Sequence, residues 1–315
     1  MSLNIVVANR LSQRHIDWVH NICPDANVIT CEDSELAQHL PTADILIAWG
    51  FINIDEHLPN APRLRWIHAL SAGVEKILSP MVAEAPIQLT NVRGIHGIPM
   101  SEHVFGMMLA FSRSIAGFAR QQQDAVWKRL SLTELYNKTL CIVGLGSIGR
   151  EIAKRAKAFN MRIVATKQTM TQELFVDELC PPSELDRLLG EADYVVLTVP
   201  ETPDTVGLFS YERICRMKES AVLINVARGT VVSAEGLAQA LTEKKIAGAA
   251  LDVFVKEPLS ESSPLWKMDN VLITPHCAAV SPLYLDRAMQ CFCENLSLYM
   301  NNKAMMNIID KERGY

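Results

Sequence analysis

The sequence lacks any apolar run long enough to cross a bilayer. Its most apolar helical candidate, VFGMMLAFSRSIAGFA at 104–119, is interrupted by Ser112 and Arg113 and falls short of the roughly 20 residues that a span requires. It reads instead as a buried helix. Long runs of like charge are also missing, and a formal net charge of -5 leaves no electrostatic footprint for nucleic acid or an anionic membrane. The eight cysteines include no CxxC pair, and several sit in apolar runs where a thiol behaves as a small hydrophobe. Reduced, buried thiols in a cytoplasmic protein are expected, with no metal ion. The amino-terminal MSLNIVVANR shows none of the basic start, long apolar core and small-residue cleavage site of a signal peptide. No short internal repeat and no low-complexity tract is visible. The partners that remain are small molecules and further copies of the chain.

What is present is an alternation of short β-rich runs with helical patterns. NIVVA at 4–8, ILIAW at 45–49 and LRWIHAL at 64–70 form a first series, punctuated by proline and glycine. A more regular second series follows: LCIVG, MRIVAT, YVVLTV, AVLINVA, IAGAALDV and NVLITPH, with helical stretches such as SIGREIAKRAKAF and SAEGLAQALTEKK between them. Near-continuous Val, Ile and Leu runs suit strands of a parallel sheet covered by helices on both faces. The two series are separated by the segment 99–127, which begins PMSEHV with Pro99 where a helix can start. A last helical pattern at 283–300 returns towards the first lobe. The 315 residues accommodate two such domains.

Gly144-Leu145-Gly146-Ser147-Ile148-Gly149 follows the strand LCIV and opens a helix, the context in which a GxGxxG pattern binds a dinucleotide. The first glycine permits a tight turn, the second lets backbone approach the pyrophosphate, and the third lets helix pack on strand; the helix N-terminus offers unpaired amides to the anion. An NAD site would place Asp or Glu about 20 residues on, to accept from the ribose hydroxyls. Here the second strand runs instead into Lys167-Gln168-Thr169. A cation flanked by neutral hydrogen-bonding side chains attracts a ribose 2′-phosphate that a carboxylate would repel. NADP(H) is therefore favoured with NAD(H) possible, unless Lys167 is an ordinary solvated lysine.

Three further stretches end later strands, where open α/β sheets bind their ligands: INVARGTVV with Val226, Ala227 and Arg228, ALDVFVKEPL with Asp252 and Glu257, and ITPHCAA with His276. Taken with GLGSIG and VPETPDT, in this order and at these spacings, they make nearly the whole chain resemble the D-2-hydroxyacid dehydrogenase family. The resemblance is to its glyoxylate and hydroxypyruvate reductases in particular. It implies a two-lobed α/β protein in which a doubly wound Rossmann parallel sheet, residues 99–281, is inserted in a flavodoxin-like substrate domain made of 1–98 plus 282–315. It also implies a homodimer built on the cofactor lobe, and a cleft that closes about an interlobe hinge.

By position, the resemblance makes Arg228 the residue that grips the substrate carboxylate and reacting carbonyl, with Glu257 orienting His276. Chemistry agrees: a guanidinium can make two parallel hydrogen bonds to a carboxylate, and an imidazole paired with a carboxylate is suited to give a proton to the oxygen that gains charge as hydride arrives. Asp252 is either a structural cap or, by resemblance, a neighbour of the nicotinamide carboxamide. Val199, Pro200 and Thr205 are expected to line the cofactor. In the first lobe, Ser71, Ala72, Gly73 and Val74 resemble the family's substrate loop, whose small residues let amides converge on an anion. Trp49, Gly50 and Phe51 wall the pocket or simply pack the core. SEHVFG, with Glu102 and His103, resembles the helix linking the lobes, and Met100 is placed to touch the nicotinamide.

Thr198 and Glu201 depart from the histidine and leucine that many relatives carry around the VP loop, so the details of that loop stay open. The sequence also carries no regulatory extension of the kind found in some phosphoglycerate dehydrogenases. The expected activity is reduction of small 2-keto acids to D-2-hydroxy acids. Formate dehydrogenases resemble the scaffold with glutamine where Glu257 stands; a phosphite dehydrogenase shares the Arg, Glu and His set. A corepressor-like NAD(P)-sensing protein is the alternative of a different class.

Overall fold

The computed structural model describes residues 2–312. It divides into two compact units, one made of the chain up to Ile95 together with the chain from Ser281 onward, the other of His96–Val280.

In the smaller unit, β1 (Asn4–Val7), β2 (Asn27–Thr30), β3 (Ile45–Ala48), β4 (Trp66–Ala69) and β5 (Gln88–Asn91) form one sheet. The strand order is β2-β1-β3-β4-β5 and every pairing is parallel, the order of a flavodoxin-like sheet. Helices α1 (Gln13–Ile22), α2 (Leu36–His39) and α3 (Pro80–Glu84) accompany it. β3 and β4 are buried at every residue, which suits the unbroken apolar run ILIA; in WIHA the one polar side chain, His68, is buried with the rest. β2 and β5 are not legible in that way, because NVIT and QLTN lie at the sheet edges, where polar side chains are tolerated.

The larger unit opens with α4 (Gly97–Ser112) and α5 (Ile115–Gln123), followed by β6 (Thr139–Val143), α6 (Ser147–Ala158), β7 (Arg162–Thr166) and β8 (Glu178–Cys180). Then come α7 (Leu185–Glu191), β9 (Tyr194–Leu197), α8 (Tyr211–Ile214), β10 (Val222–Asn225), α9 (Ala234–Thr242), β11 (Gly248–Leu251) and β12 (Val271–Ile273). The seven strands are parallel in the order β12-β11-β10-β9-β6-β7-β8. Winding reverses between β6 and β9, so the crevice beyond their carboxyl ends is the place where such sheets take ligands.

Two expectations need correction. The single buried helix anticipated through 104–119 is two helices. The chain breaks at Arg113 and Ser114, the latter at φ +51°, and α5 has no buried residue and exposes Ile115 by 56%. The reason is composition: after Phe118, α5 runs into ARQQQ and has no apolar stripe to bury. Of the eight cysteines, all free, Cys215 and Cys277 are only partly buried.

The last helix, α10 (Tyr284–Met300), packs on the smaller sheet. Phe292 stacks on Trp66 at 5.1 Å between ring centres, the Tyr284 hydroxyl donates to the Leu70 carbonyl at 2.9 Å, and Asp286 pairs with His15 of α1 at 2.7 Å. Beneath it, Trp66 Nε1 donates to Thr90 Oγ1 and Thr90 Oγ1 lies 2.8 Å from His68 Nδ1. With Trp66 donating, the threonine proton is free for the imidazole, which then carries its own proton on Nε2. That atom is turned to the Ala288 carbonyl but falls short of full hydrogen-bond geometry. No helix among the described residues is long and apolar enough to cross a membrane.

Candidate active site

β6 is buried throughout and delivers Gly144 at φ +95°, a conformation that costs glycine nothing. A Cβ there would also sit 2.7 Å from Val199 Cγ1, so the glycine turn and the VP loop pack directly together. Thr198, noted as a departure, strengthens the junction: its hydroxyl donates to the Gly144 carbonyl at 2.7 Å. A Cβ on Gly149 would meet the Gly144 oxygen at 3.0 Å, whereas Gly146 faces open space with nothing within 4 Å. α6 begins at Ser147 with Gly146 as its cap and no capping side chain. The amides of Ser147 and Ile148 therefore point outward without an acceptor among the described residues. Open room before a set of unpaired amides fits the pyrophosphate of a dinucleotide.

At the end of β7 the carboxylate absent from the sequence position arrives from elsewhere. Lys167 is not free: its ammonium donates to Glu173 at 2.6 Å and to Thr171 at 2.7 Å. Arg150, in the first turn of α6, grips the same Glu173 with two hydrogen bonds of 2.7 Å. The Arg150 guanidinium above all, then Lys167 and Thr171, hold the Glu173 carboxyl well below the usual carboxylate range against the opposing effect of burial. Reading Lys167 as an isolated cation or as a solvated lysine therefore misses its partner. Gln168 beside it is exposed. Glu173 lies in a loop, where no periodicity marks which side chain turns inward. In the VP loop, Thr205 Oγ1 donates to the Pro200 carbonyl at 2.7 Å and accepts from the Thr202 amide at 2.8 Å, closing the loop on itself.

β10 ends at Asn225, whose side chain accepts from the Ala227 amide and donates to the Arg228 carbonyl, each at 3.0 Å. This clamp turns the chain after the buried Val226 and Ala227 and presents Arg228, whose Nη1 is 2.8 Å from the Ala227 carbonyl. Gly229 must be glycine, since a Cβ would lie 1.9 Å from the carbonyl carbon of Phe254. Past β11, Asp252 is 1% exposed and accepts from Thr274 Oγ1 at 2.5 Å and from the Cys277 and Ala278 amides at 2.9 Å. The structure thus makes it a clamp on the TPHCA turn. His103 of α4 joins this network through Thr274, at 3.0 Å.

His276 stands at φ +50°, a strained backbone for a non-glycine residue, with its amide donating to the Asp252 carbonyl at 2.8 Å. Its Nδ1 is 2.7 Å from Glu257 Oε2, while Glu257 Oε1 accepts from the Phe254 amide at 2.9 Å. Arg228, Glu257 and His276 line one pocket of about 230 Å³, together with Glu201 and Thr230. Glu201 accepts from the Thr230 hydroxyl at 2.5 Å. His96, which nothing in the sequence pattern singled out, belongs to the same neighbourhood: burial first, and the Arg228 guanidinium second, push its imidazole down to about 4. Two other hollows of the unit, about 310 and 650 Å³, lie along α5 and the segment after it, the first also touching the end of α4 and β12, and hold none of these groups. Met100 is buried in the core beneath the sheet, and Glu102 is exposed.

In the smaller unit, Gly50 donates its amide to Ser71 Oγ at 2.9 Å, and Ser71 Oγ donates to the Gly73 carbonyl at 2.7 Å. A Cβ on Gly50 would lie 2.0 Å from that carbonyl, so the loop rests directly on the backbone at the end of β3. The amides of Ala72, Gly73 and Val74 have no acceptor among the described residues, an arrangement suited to an anion. Trp49 stacks on Phe51 at 5.6 Å and on Tyr284 at 5.7 Å, and Phe51 remains 59% exposed.

Residues 105–278 match the D-isomer specific 2-hydroxyacid dehydrogenase, NAD binding domain. The chain belongs to the D-isomer specific 2-hydroxyacid dehydrogenase family. As a member it is an NAD(P)-dependent oxidoreductase. A glyoxylate reductase of Pyrococcus furiosus is 32% identical over 288 residues, covering 88% of this chain and 85% of that protein. Among solved structures, a family member from Aeromonas salmonicida subsp. salmonicida superposes with a TM-score of 0.86 at 32% identity, covering 99% of this chain and 100% of the other. An NADPH-dependent glyoxylate/hydroxypyruvate reductase from Sinorhizobium meliloti, solved with NADP and sulfate, gives 0.83 at 25% identity with both chains fully covered.

Proposed function

We propose that this dehydrogenase reduces small 2-keto acids to D-2-hydroxy acids and prefers NADPH to NADH. The observation that carries the reading is the 2.7 Å pairing of His276 with Glu257 in the pocket that Arg228 also lines. We assign nucleotide binding to the unit His96–Val280, where the glycine turn and the α6 amides suit a pyrophosphate.

A bound nicotinamide supplies the hydride. Arg228 offers a planar fork that holds the substrate carboxylate and polarises the adjoining carbonyl, which a lysine would do less well. His276, with Nδ1 committed to Glu257, has Nε2 free to donate a proton to the carbonyl oxygen as negative charge develops there. Glu257 fixes the ring and offsets the charge of the imidazolium, and its own second oxygen is anchored by the Phe254 amide. The amides at Ala72–Val74 suit a carboxylate as well.

Two relatives support the substrate class, since the Pyrococcus protein is described as a glyoxylate reductase and the Sinorhizobium protein as a glyoxylate/hydroxypyruvate reductase. For the cofactor, Arg150 and Lys167 place two cations at the end of β7 against one carboxylate, a net positive corner that favours a 2′-phosphate. The test is a panel of glyoxylate, hydroxypyruvate, pyruvate, and branched and aromatic 2-keto acids with each reduced cofactor. Turnover to the D-product with higher kcat/KM for NADPH is expected. Tight nucleotide binding without turnover of any member would overturn the reading in favour of a sensor.

A further inference from the structure

The carboxylate at the end of β7 is unusual in being surrounded. Glu173 Oε1 accepts from Arg150 Nη2 at 2.7 Å, Lys167 Nζ at 2.6 Å and Thr171 Oγ1 at 2.8 Å, while Oε2 accepts from Arg150 Nε at 2.7 Å. Its side chain is 6% exposed, against 20% for Lys167 and 47% for Arg150. A ligand arriving at this corner therefore meets the two cations and not the acceptor between them. In a Rossmann site the residue at this place accepts from ribose hydroxyls; Glu173 has its oxygens turned to its own cations instead.

We propose that Glu173 is a cofactor-selectivity residue: it cancels one of the two positive charges of Arg150 and Lys167, so that the corner discriminates for a ribose 2′-phosphate more weakly than its two cations alone would. This rests on the reading that the corner receives the adenosine ribose. A 2′-phosphate carries close to two negative charges, and a fixed carboxylate directly behind the cations repels it. Ribose hydroxyls are neutral and feel little of that field. Glu173 also holds the long Arg150 and Lys167 side chains in place, but both remain tethered by their own backbones on α6 and at the end of β7. Losing one orienting partner affects both kinds of nucleotide, whereas losing the charge acts mainly on the one that carries a 2′-phosphate.

The experiment measures, by titration calorimetry on the full chain, the dissociation constants of 2′,5′-ADP and 5′-AMP, which differ only in the 2′-phosphate, for the wild type, Glu173→Gln and Glu173→Ala. The alanine variant is included because a glutamine amide would turn donors towards Arg150. The proposal expects the preference for 2′,5′-ADP over 5′-AMP to rise about tenfold in both neutral variants, and the gain to shrink as salt is raised. An unchanged or reduced preference in either folded variant overturns it and makes Glu173 an orienting residue. The wild-type ratio tests the underlying cofactor reading separately: equal affinities in the wild type would sink the NADPH preference. Glu173 would still be judged by the change on neutralisation.

Discussion

His276 carries two demands at once, a side chain aimed into the pocket and a backbone at φ +50°. An unbranched L-residue pays roughly 1 kcal/mol for that conformation, and the surroundings that hold it are visible: the amides of His276, Cys277 and Ala278 all converge on Asp252, through its carbonyl and its carboxylate. Asp252 and His276 are therefore one unit, with the buried acid fixing the turn on which the imidazole stands. Replacing His276 by alanine should leave this turn in place and remove only the proton donor. The expected result is a loss of about 10²–10⁴ in kcat with the dissociation constant for NADPH little changed. A variant that keeps wild-type turnover would take His276 out of the chemistry. Of the residues around Arg228, the sequence motifs pointed to Glu257 and His276. They were silent on His96, because a histidine in a loop ahead of a helix has no pattern that reveals what it faces.

Elements are joined here by close backbone approach, and the glycines show where. Gly229 has the Phe254 carbonyl carbon 1.9 Å from its virtual Cβ, while Gly146 has nothing within 4 Å. Gly229→Ala must push apart the turn after β10 and the segment after β11, which carry Arg228 and Glu257; thermal stability and kcat/KM should fall together. Gly146→Ala has no such clash, and its backbone, at φ -90° and ψ -159°, is open to alanine. Its melting temperature should stay within about 2 °C of wild type, in keeping with the small effect of a change that meets no packed neighbour, while nucleotide affinity drops because the added methyl occupies the space before the α6 amides. Equal effects of the two variants on stability would contradict this division. The buried central strands were legible for the same local reason, since burial on both faces favours apolar residues along the strand. The strands β2, β5 and β8 were not, since each lies at a sheet edge and carries polar residues.

For the molecule as a whole, two histidines set a common response to acid. Burial pushes His68 down to about 3 against an opposing pull from the Ala288 carbonyl, and burial with Arg228 pushes His96 down to about 4. Both are neutral when folded and take up protons more readily when unfolded, near the ordinary value of about 6.5. The unfolded state then binds more protons, so stability is fully present above about pH 6.5 and is lost as pH falls from there towards the folded values. The loss is at most about 1.4 kcal/mol per pH unit for each group. Urea denaturation at pH 7 and pH 5 should show the lower stability at pH 5. His68→Asn keeps an acceptor for Thr90 and cannot titrate, so it should reduce the difference to the part that His96 contributes. A fall of the same size in that variant would remove His68 as a cause.

The amino-acid sequence by itself determined the alternation of strand and helix, the glycine turn and the identity of the groups at the strand ends. Each of these depends on sterics or periodicity within a few neighbouring residues. Only the tertiary structure decided which other polar groups are spent on one another: Glu173 reaches Arg150 across 23 positions and Thr274 reaches Asp252 across 22. The strength of a charge or a proton donor depends on what stands within a few ångströms and on how much water is excluded. In a chain of parallel crossovers those neighbours come from elements that the local sequence does not name.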